Sequence, residues 1–230
     1  MSQDIEGFVK ALGRWRPRSK DVFNPWRGRN RDDARGNGPD ARRARLVQHL
    51  SVPEGARLLL FGEAPGYQGA RITGVAFSSE KLMELGAIPR VAASQQRLSS
   101  RARSWCEPSA SIVWGALYEM GVAQDTVLWN AFPFHPHHTD KPLSNRTPRG
   151  EEIEEGVRFV KRLCRLYPNA AVVAVGKQAE KCLRMGKIKT WGCVRHPAYG
   201  GANEFKQGIV DVLRDAGVQP RPERPDLALL

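Results

Sequence analysis

Residues 56–66 read ARLLLFGEAPG, and this stretch decides the fold. The apolar run at 56–61 predicts a buried strand, because strands of a parallel sheet are covered on both faces and read as continuous hydrophobic runs. A glycine-containing turn follows this run directly. Ligands of α/β sheets bind outside the carboxyl ends of the strands. We therefore expect a ligand-binding loop to begin at Gly62.

Apolar runs and amphipathic stretches alternate along the rest of the chain. Further strands are expected at 126–134, 170–176 and 188–196, and helices at 4–15, 41–50, 109–122, 148–168, 177–186 and 203–218. In the helix at 109–122 we expect Ile112, Leu117 and Met120 to face inward. This alternation predicts an α/β fold, namely a three-layer α/β/α sandwich around a central, mostly parallel, four-stranded sheet.

The length of 230 residues suits one domain with a sizeable core. We expect the α/β domain at 55–218, with a basic helical and loop extension at 1–54 packed on it. A short tail would then occupy 219–230.

The charge balance is strongly basic, with 36 Lys and Arg against 24 Asp and Glu. Such a surplus favours a polyanionic partner, and nucleic acid is the leading class. The basic residues are concentrated in two segments of the sequence. Residues 1–50 hold twelve basic and six acidic residues, and residues 90–106 hold Arg90, Arg97, Arg101 and Arg103 without an acid. A solvated basic face is the alternative interpretation.

No apolar run is long enough to cross a bilayer, and the first residues lack the apolar stretch of a secretory signal. We therefore expect a cytoplasmic monomer without a membrane partner. The four cysteines, at 106, 164, 182 and 193, form no CxxC pair, so neither a disulfide framework nor a zinc site is indicated.

Three loops at strand ends carry polar side chains that can do chemistry. They present Glu63, Asn130 and His196. A carboxylate can activate water, an amide can read a donor and acceptor edge, and an imidazole can hydrogen-bond developing negative charge. Together they predict a hydrolytic site for a heterocycle.

Four segments resemble the uracil-DNA glycosylase superfamily in order and spacing. These segments are GEAPGYQGARITGVAF at 62–77, the strand end at Asn130, SNRTPRGEE at 144–152 and VRHPAYGG at 194–201. The resemblance covers roughly residues 55–217. The GEAPG and NRTP segments are similar to the iron-sulfur branch, whereas the approach to Phe77 is closer to the common enzymes.

The resemblance implies removal of uracil from DNA by base flipping and hydrolysis, which leaves an abasic site. Glu63 would orient or deprotonate the water, and His196 would hydrogen-bond the uracil oxygen that gains charge. Phe77 would stack on the flipped base and Asn130 would pair with its edge. The turn residues Gly62, Ala64, Gly66 and Tyr67 would complete the binding site.

The resemblance also implies contacts with DNA. Tyr199, between Pro197 and Gly200, would fill the space left by the flipped base. Arg71, Arg146 and Arg149 would hold phosphates or the abasic sugar.

The sequence departs from the family at three points. Ala64 stands where the common enzymes have a catalytic Asp, and Gly66 stands where they have a Tyr that excludes thymine, with Tyr67 one position late. The cysteines of the iron-sulfur branch are absent, so we expect no cofactor.

Several alternatives stay open. Phe77 could be a core aromatic, Asn130 a strand terminator, Glu63 a loop acceptor and Tyr199 an incidental turn residue. The chain could also bind uracil or abasic sites in DNA with little or no turnover, or hydrolyse small substrates. The histidines at 135, 137 and 138 would line the mouth of the site rather than bind a metal.

Overall fold

The computed structural model describes residues 2–221. Its elements follow the alternation seen in the sequence. The strands are β1 (Val22–Phe23), β2 (Leu58–Gly62), β3 (Thr126–Asn130), β4 (His135–Pro136), β5 (Ala171–Val175) and β6 (Gly192–Val194). The helices are α1 (Ser2–Arg14), α2 (Pro39–Leu50), α3 (Ala70–Thr73), α4 (Glu80–Glu84), α5 (Pro108–Glu119), α6 (Gly150–Leu166), α7 (Lys177–Met185) and α8 (Ala202–Asp215), with a 3₁₀ turn at Ala123–Asp125.

Four parallel strands form the central sheet in the order β3-β2-β5-β6. Strand β2 is therefore flanked on both sides, and Leu60 lies opposite Leu128 on one neighbour and Val173 on the other. All five residues of β2 are buried, as the apolar run requires. The predicted four-stranded α/β sandwich is confirmed.

Alternate residues of the strands enter two separate cores. Leu58 and Leu60 pack with α5 and α8 on one face, whereas Leu59 and Phe61 pack with helices on the other face. This alternation is what the two-residue period of a strand dictates. The second core takes in Phe8 and Leu46 of the first two helices, so the segment before residue 54 is part of the packed body.

Some predicted boundaries differ from the structure. Strand β3 ends at Asn130 rather than at 134, because the chain bends so that the Phe132 N–H donates to the Glu63 carbonyl. Only 192–194 of the expected strand at 188–196 pairs with a neighbour. In α5 the inward side is set by Val113, Trp114 and Leu117, and Ile112 and Met120 are only partly buried.

The basic loop after α1 is held inside the fold by specific polar contacts. Arg42 and Asp33 form an ion pair of 2.7 Å between side chains that are 0% and 1% exposed. The Trp26 indole N–H donates to the Gly74 carbonyl, and the Asn37 amide donates to the Ile72 carbonyl. The N-terminal segment therefore braces residues 67–77, which follow the GEAPG turn.

Within residues 2–221, no helix is both long and apolar enough to cross a membrane. The same residues contain no group of three or more His, Cys, Asp or Glu side chains placed to hold a metal ion.

Candidate functional site

The carboxyl ends of the parallel strands bring the predicted site residues together. Gly62 and Asn130 are register partners at the ends of β2 and β3, and His196 follows β6. They meet at a small cavity of about 50 Å³. Its lining residues are Glu63, Ala64, Pro65, Gly66, Ala70, Phe77, Glu107, Asn130 and His196.

Phe77 is held in an unusual backbone conformation at the cavity. Its φ is 48°, in the left-handed region that side chains other than glycine seldom adopt. The Trp114 indole N–H donates to the Phe77 carbonyl at 2.7 Å and fixes this turn. The Phe77 and His196 ring centroids are 6.4 Å apart. Strain maintained by surrounding contacts is common where a side chain is aimed at a ligand.

Asn130 presents a free amide to the cavity. The residue is 6% exposed, and its side chain makes no hydrogen bond to any residue within 2–221. A buried amide without protein partners has an unmet demand for both donors and acceptors. This demand suits a ligand edge that offers both.

Glu63 lies partly buried beside the segment that carries the NRTP motif. Burial raises the pKa of its carboxyl group, and a hydrogen bond from Thr147 acts against this rise. Thr147 therefore favours the ionised form of the Glu63 carboxyl group, whereas burial favours the protonated form. Asn145 of the same segment accepts a hydrogen bond from the Tyr67 N–H at 2.9 Å, which fixes the end of the GEAPG turn.

His196 is arranged as a neutral imidazole. Its Nδ1 atom accepts a hydrogen bond from the Ala198 N–H at 3.2 Å, so the ring proton belongs on Nε2. Burial, together with the nearby charge of Arg195, lowers the pKa of His196. A neutral ring with a proton on Nε2 can donate a hydrogen bond to a developing anion, and a positive charge on the ring is not needed for this.

Glu107 is a second carboxyl group in the cavity wall that sequence reasoning missed. It comes just before α5, and its Oε1 atom accepts a hydrogen bond from the Ser109 hydroxyl at 3.1 Å. Burial raises the pKa of Glu107 to about 7. Its only sequence signal is an acid in front of a proline that begins a helix, which most often marks a helix start.

The turn residues Gly66 and Tyr67 have different surroundings. Gly66 lines the cavity, and a Cβ atom there would lie 3.3 Å from Oε2 of Glu107. Tyr67 is not among the lining residues, and its ring packs edge-on against Trp105 with centroids 5.5 Å apart. The space in front of Gly66 is therefore occupied by Glu107 and not by Tyr67.

Two of the three clustered histidines support the site from behind. His135 is fully buried, and its Nδ1 atom lies 2.7 Å from the Pro65 carbonyl oxygen within the GEAPG turn. Burial lowers its pKa to about 4, so the ring is neutral and can donate from Nδ1. His137 stacks on it at 5.6 Å, whereas His138 is exposed. His135 thus positions the turn and does not line the cavity.

The arginines expected at the DNA surface lie in different environments. Arg71 belongs to α3, its side chain is 4% exposed, and it bonds the Tyr67 carbonyl and the Asn30 side chain. Arg146 is 10% exposed and is bound by Glu152. Internal acceptors therefore hold both guanidinium groups, and contact of Arg71 and Arg146 with DNA stays a prediction. Arg149 is 48% exposed and pairs with Asp21.

The four arginines at 90–106 fall into two groups, one with internal hydrogen-bond partners and one exposed. Arg90 donates to the His49 and Thr126 carbonyls, and Arg97 bonds the buried Glu80. These two arginines hold loops together. Arg101 and Arg103 are exposed, and the Arg101 guanidinium lies 3.8 Å from the Trp105 ring centroid.

The loop after His196 projects one aromatic side chain into solvent. Tyr199 is 99% exposed and has a φ of 54°, and Gly200 has a φ of 79°. Pro197 is buried at the base of the loop. A fully exposed tyrosine in a left-handed conformation gains nothing from packing on residues 2–221.

Comparison with known proteins agrees with this arrangement. The family described as the uracil DNA glycosylase superfamily matches residues 50–216. The crystal structure of wild-type Pedobacter heparinus SMUG2 superposes with a TM-score of 0.63 at 16% sequence identity, covering 94% of this chain and 97% of that one. This likeness concerns the fold. No curated protein matches the sequence.

The family match spans more than half of the chain and includes every residue that lines the cavity. The chain belongs to the uracil DNA glycosylase superfamily.

Proposed function

We propose that this protein is a monofunctional uracil-DNA glycosylase, which hydrolyses the N-glycosidic bond of deoxyuridine in DNA and leaves an abasic site. The observation that carries the proposal is the meeting of Glu63, Asn130 and His196 around one cavity beside Phe77. Family membership supports the same reaction class.

Recognition of the base rests on Phe77 and Asn130. A flipped uracil would lie against the Phe77 ring, whose position is fixed through its own backbone by Trp114. The Asn130 amide would pair with the base edge, accepting from the uracil N–H and donating to the adjacent carbonyl. Cytosine reverses this donor and acceptor pattern, so an amide in this orientation would discriminate against it.

Bond cleavage rests on His196 and Glu63. The Nε2 proton of His196 would donate to the uracil oxygen that becomes negative as the glycosidic bond breaks. The Glu63 carboxylate would stabilise the cationic sugar and orient the attacking water. The hydrogen bond from Thr147 to Glu63 acts against the rise in pKa that burial causes, and so favours this carboxylate.

Engagement of DNA would use the surface around the cavity. Tyr199 is the exposed side chain that could enter the stack after the base has left. Arg149 and the exposed Arg101 and Arg103 could contact phosphates. The net charge of +12 supports binding to both substrate and abasic product DNA. We propose that the protein acts as a monomer in the cytoplasm.

A base-release assay tests the proposal. Oligonucleotides with one uracil are incubated with wild type, Glu63→Gln, His196→Ala and the exposed control Glu154→Gln, then cleaved with alkali at abasic sites. We expect scission with the wild type and the control and strong loss with the two site variants. No scission by pure wild type, beside an active reference enzyme, contradicts the proposal.

A second candidate is a uracil or abasic-site DNA-binding protein with little turnover. Ala64 favours it, because a methyl group in the cavity wall supplies no second acceptor for water. The burial that raises the Glu63 pKa also reduces the carboxylate fraction. Tight binding to abasic DNA that survives Glu63→Gln, with negligible turnover by the wild type, would favour this candidate. Base release from free nucleosides without any DNA dependence would contradict both.

A further inference from the structure

Glu107 stands out because the fold makes room for it against the GEAPG turn. A Cβ atom at Gly69 would overlap Oε2 of Glu107 and would lie 2.8 Å from its Cδ. A Cβ atom at Gly66 would be 3.3 Å from the same oxygen. Glycine at both positions therefore lets the carboxyl group lie against the backbone of the turn.

The two oxygens of Glu107 have different surroundings. Oε1 is held by the Ser109 hydroxyl, whereas Oε2 has no hydrogen-bond partner among residues 2–221. Glu107 lines the cavity together with Gly66. One oxygen is thus anchored to α5, and the other is left for whatever occupies the cavity.

The loop that leads to Glu107 is fixed from within. The buried Glu80 accepts hydrogen bonds from the backbone N–H groups of Leu98, Ser99 and Trp105 at 2.8–3.0 Å. Its second oxygen also accepts from the Ser99 hydroxyl. The approach to Glu107 is therefore rigid, as a specificity wall requires.

We propose that Glu107 is a specificity-determining residue, which forms the wall of the base pocket in front of Gly66 and Gly69 and disfavours bases that carry a methyl group on that side. This inference rests on the proposed function. Asn130 and His196 would take the hydrogen-bonding edges of a pyrimidine and Glu63 would face the sugar. The C5 edge then meets the wall formed by Glu107.

The physical reason is desolvation of the carboxyl group. A hydrogen atom at C5 leaves space for a water molecule on Oε2, whereas the methyl group of thymine displaces it and offers no hydrogen bond. Burial raises the pKa of Glu107 to about 7. The protonated carboxyl group also needs a hydrogen-bond partner, so protonation does not remove the cost of displacing this water. Thymine is therefore rejected in either protonation state.

The test compares uracil and thymine in wild type, Glu107→Ala, Glu107→Gln and the exposed control Glu204→Gln. Single-turnover release is measured on oligonucleotides with U:G and T:G pairs, and binding of free uracil and free thymine is measured by NMR titration. Circular dichroism establishes that each variant is folded.

We expect the wild type and Glu204→Gln to prefer uracil by at least about tenfold, the scale of discrimination for one methyl group. Glu107→Ala should reduce this preference to within about threefold by gaining thymine, and Glu107→Gln should retain most of it. An unchanged preference in Glu107→Ala, or equal binding of the two bases by wild type, overturns the inference. If no oligonucleotide is cleaved, the proposed function fails while the NMR titration still decides the role of Glu107.

Discussion

A Cβ atom at Gly62 would lie 2.5 Å from Cζ of Phe77 and 3.0 Å from Oδ1 of Asn130. The last residue of β2 is therefore glycine because two side chains of the candidate pocket occupy the space that any other residue would fill. The strand end and these two residues of the candidate pocket are coupled by direct packing.

Substitution Gly62→Ala is expected to displace Phe77 or Asn130. A displacement of about 1 Å near the reacting atoms can lower a rate by about 100-fold. Single-turnover uracil release should fall by that order while the fold persists by circular dichroism. Gly150→Ala is the matched control, because a Cβ atom there meets no atom within 4 Å. Equal rates for the two variants would contradict the coupling.

Loss of the Thr147 hydroxyl should shift the acid limb of the pH–rate profile, which is the pH range where the rate rises as a carboxyl group ionises. The proposed reaction would need ionised Glu63, so activity should rise as pH increases through the raised pKa of this residue. Because the bond from Thr147 lowers that pKa, Thr147→Val should shift the limb to higher pH. Rates measured from pH 4 to 8 should then converge with wild type at the alkaline end. A limb that does not move would show that another group controls it.

Removal of the Glu63 carboxylate should cost more than a shift of its pKa. We expect Glu63→Gln to lower single-turnover release by about 100- to 10,000-fold, the range for a positioned acid or base group. The loss should persist at every pH, unlike that of Thr147→Val. Recovery of the Glu63→Gln variant at high pH would remove Glu63 from this role.

The tautomer and charge of His196 can be observed directly. Nitrogen-detected NMR should show the proton on Nε2, and its titration should occur below the ordinary histidine pKa of 6.5. His196→Ala should lower base release by about 100- to 1,000-fold, as for loss of one oxyanion donor. A protonated imidazole at pH 7 would contradict the neutral donor.

Tyr199 is expected to matter for duplex DNA more than for single strands. Tyr199→Ala removes an exposed side chain that packs on nothing within residues 2–221, so unfolding free energy should change by less than about 1 kcal/mol. The rate on duplex uracil DNA should fall several-fold more than the rate on single strands. Equal losses on both substrates would argue against a role in filling the emptied stack.

The ion pair between Arg42 and Asp33 should be important for stability. Arg42→Ala leaves the buried Asp33 carboxylate without its charged partner, which costs about 3–5 kcal/mol. The side chains of Asn30 and Asn37 still donate to this carboxylate. Urea unfolding should show a correspondingly lower midpoint. The control Arg214→Ala breaks exposed pairs and should cost at most about 1 kcal/mol.

The amino-acid sequence by itself determined the sheet and the position of the candidate site at the strand ends. Apolar runs such as 58–61 are typical of strands that are covered on both faces of a parallel sheet, and chain order then places Glu63, Asn130 and His196 at strand ends. These features depend on local pattern and on topology that local pattern largely dictates. The positions of the GEAPG turn and of the His196 loop therefore follow from the sequence alone.

Only the tertiary structure decided which side chains surround those residues. Glu107 meets Gly66 and Gly69 from some forty positions away, and Arg71 turns inward to Asn30. Neither residue has a local signal, because each owes its place to packing between segments distant in the chain. The sequence pattern around an arginine does not show whether its side chain faces DNA or an internal carbonyl group. Only its burial in the tertiary structure distinguishes these two environments.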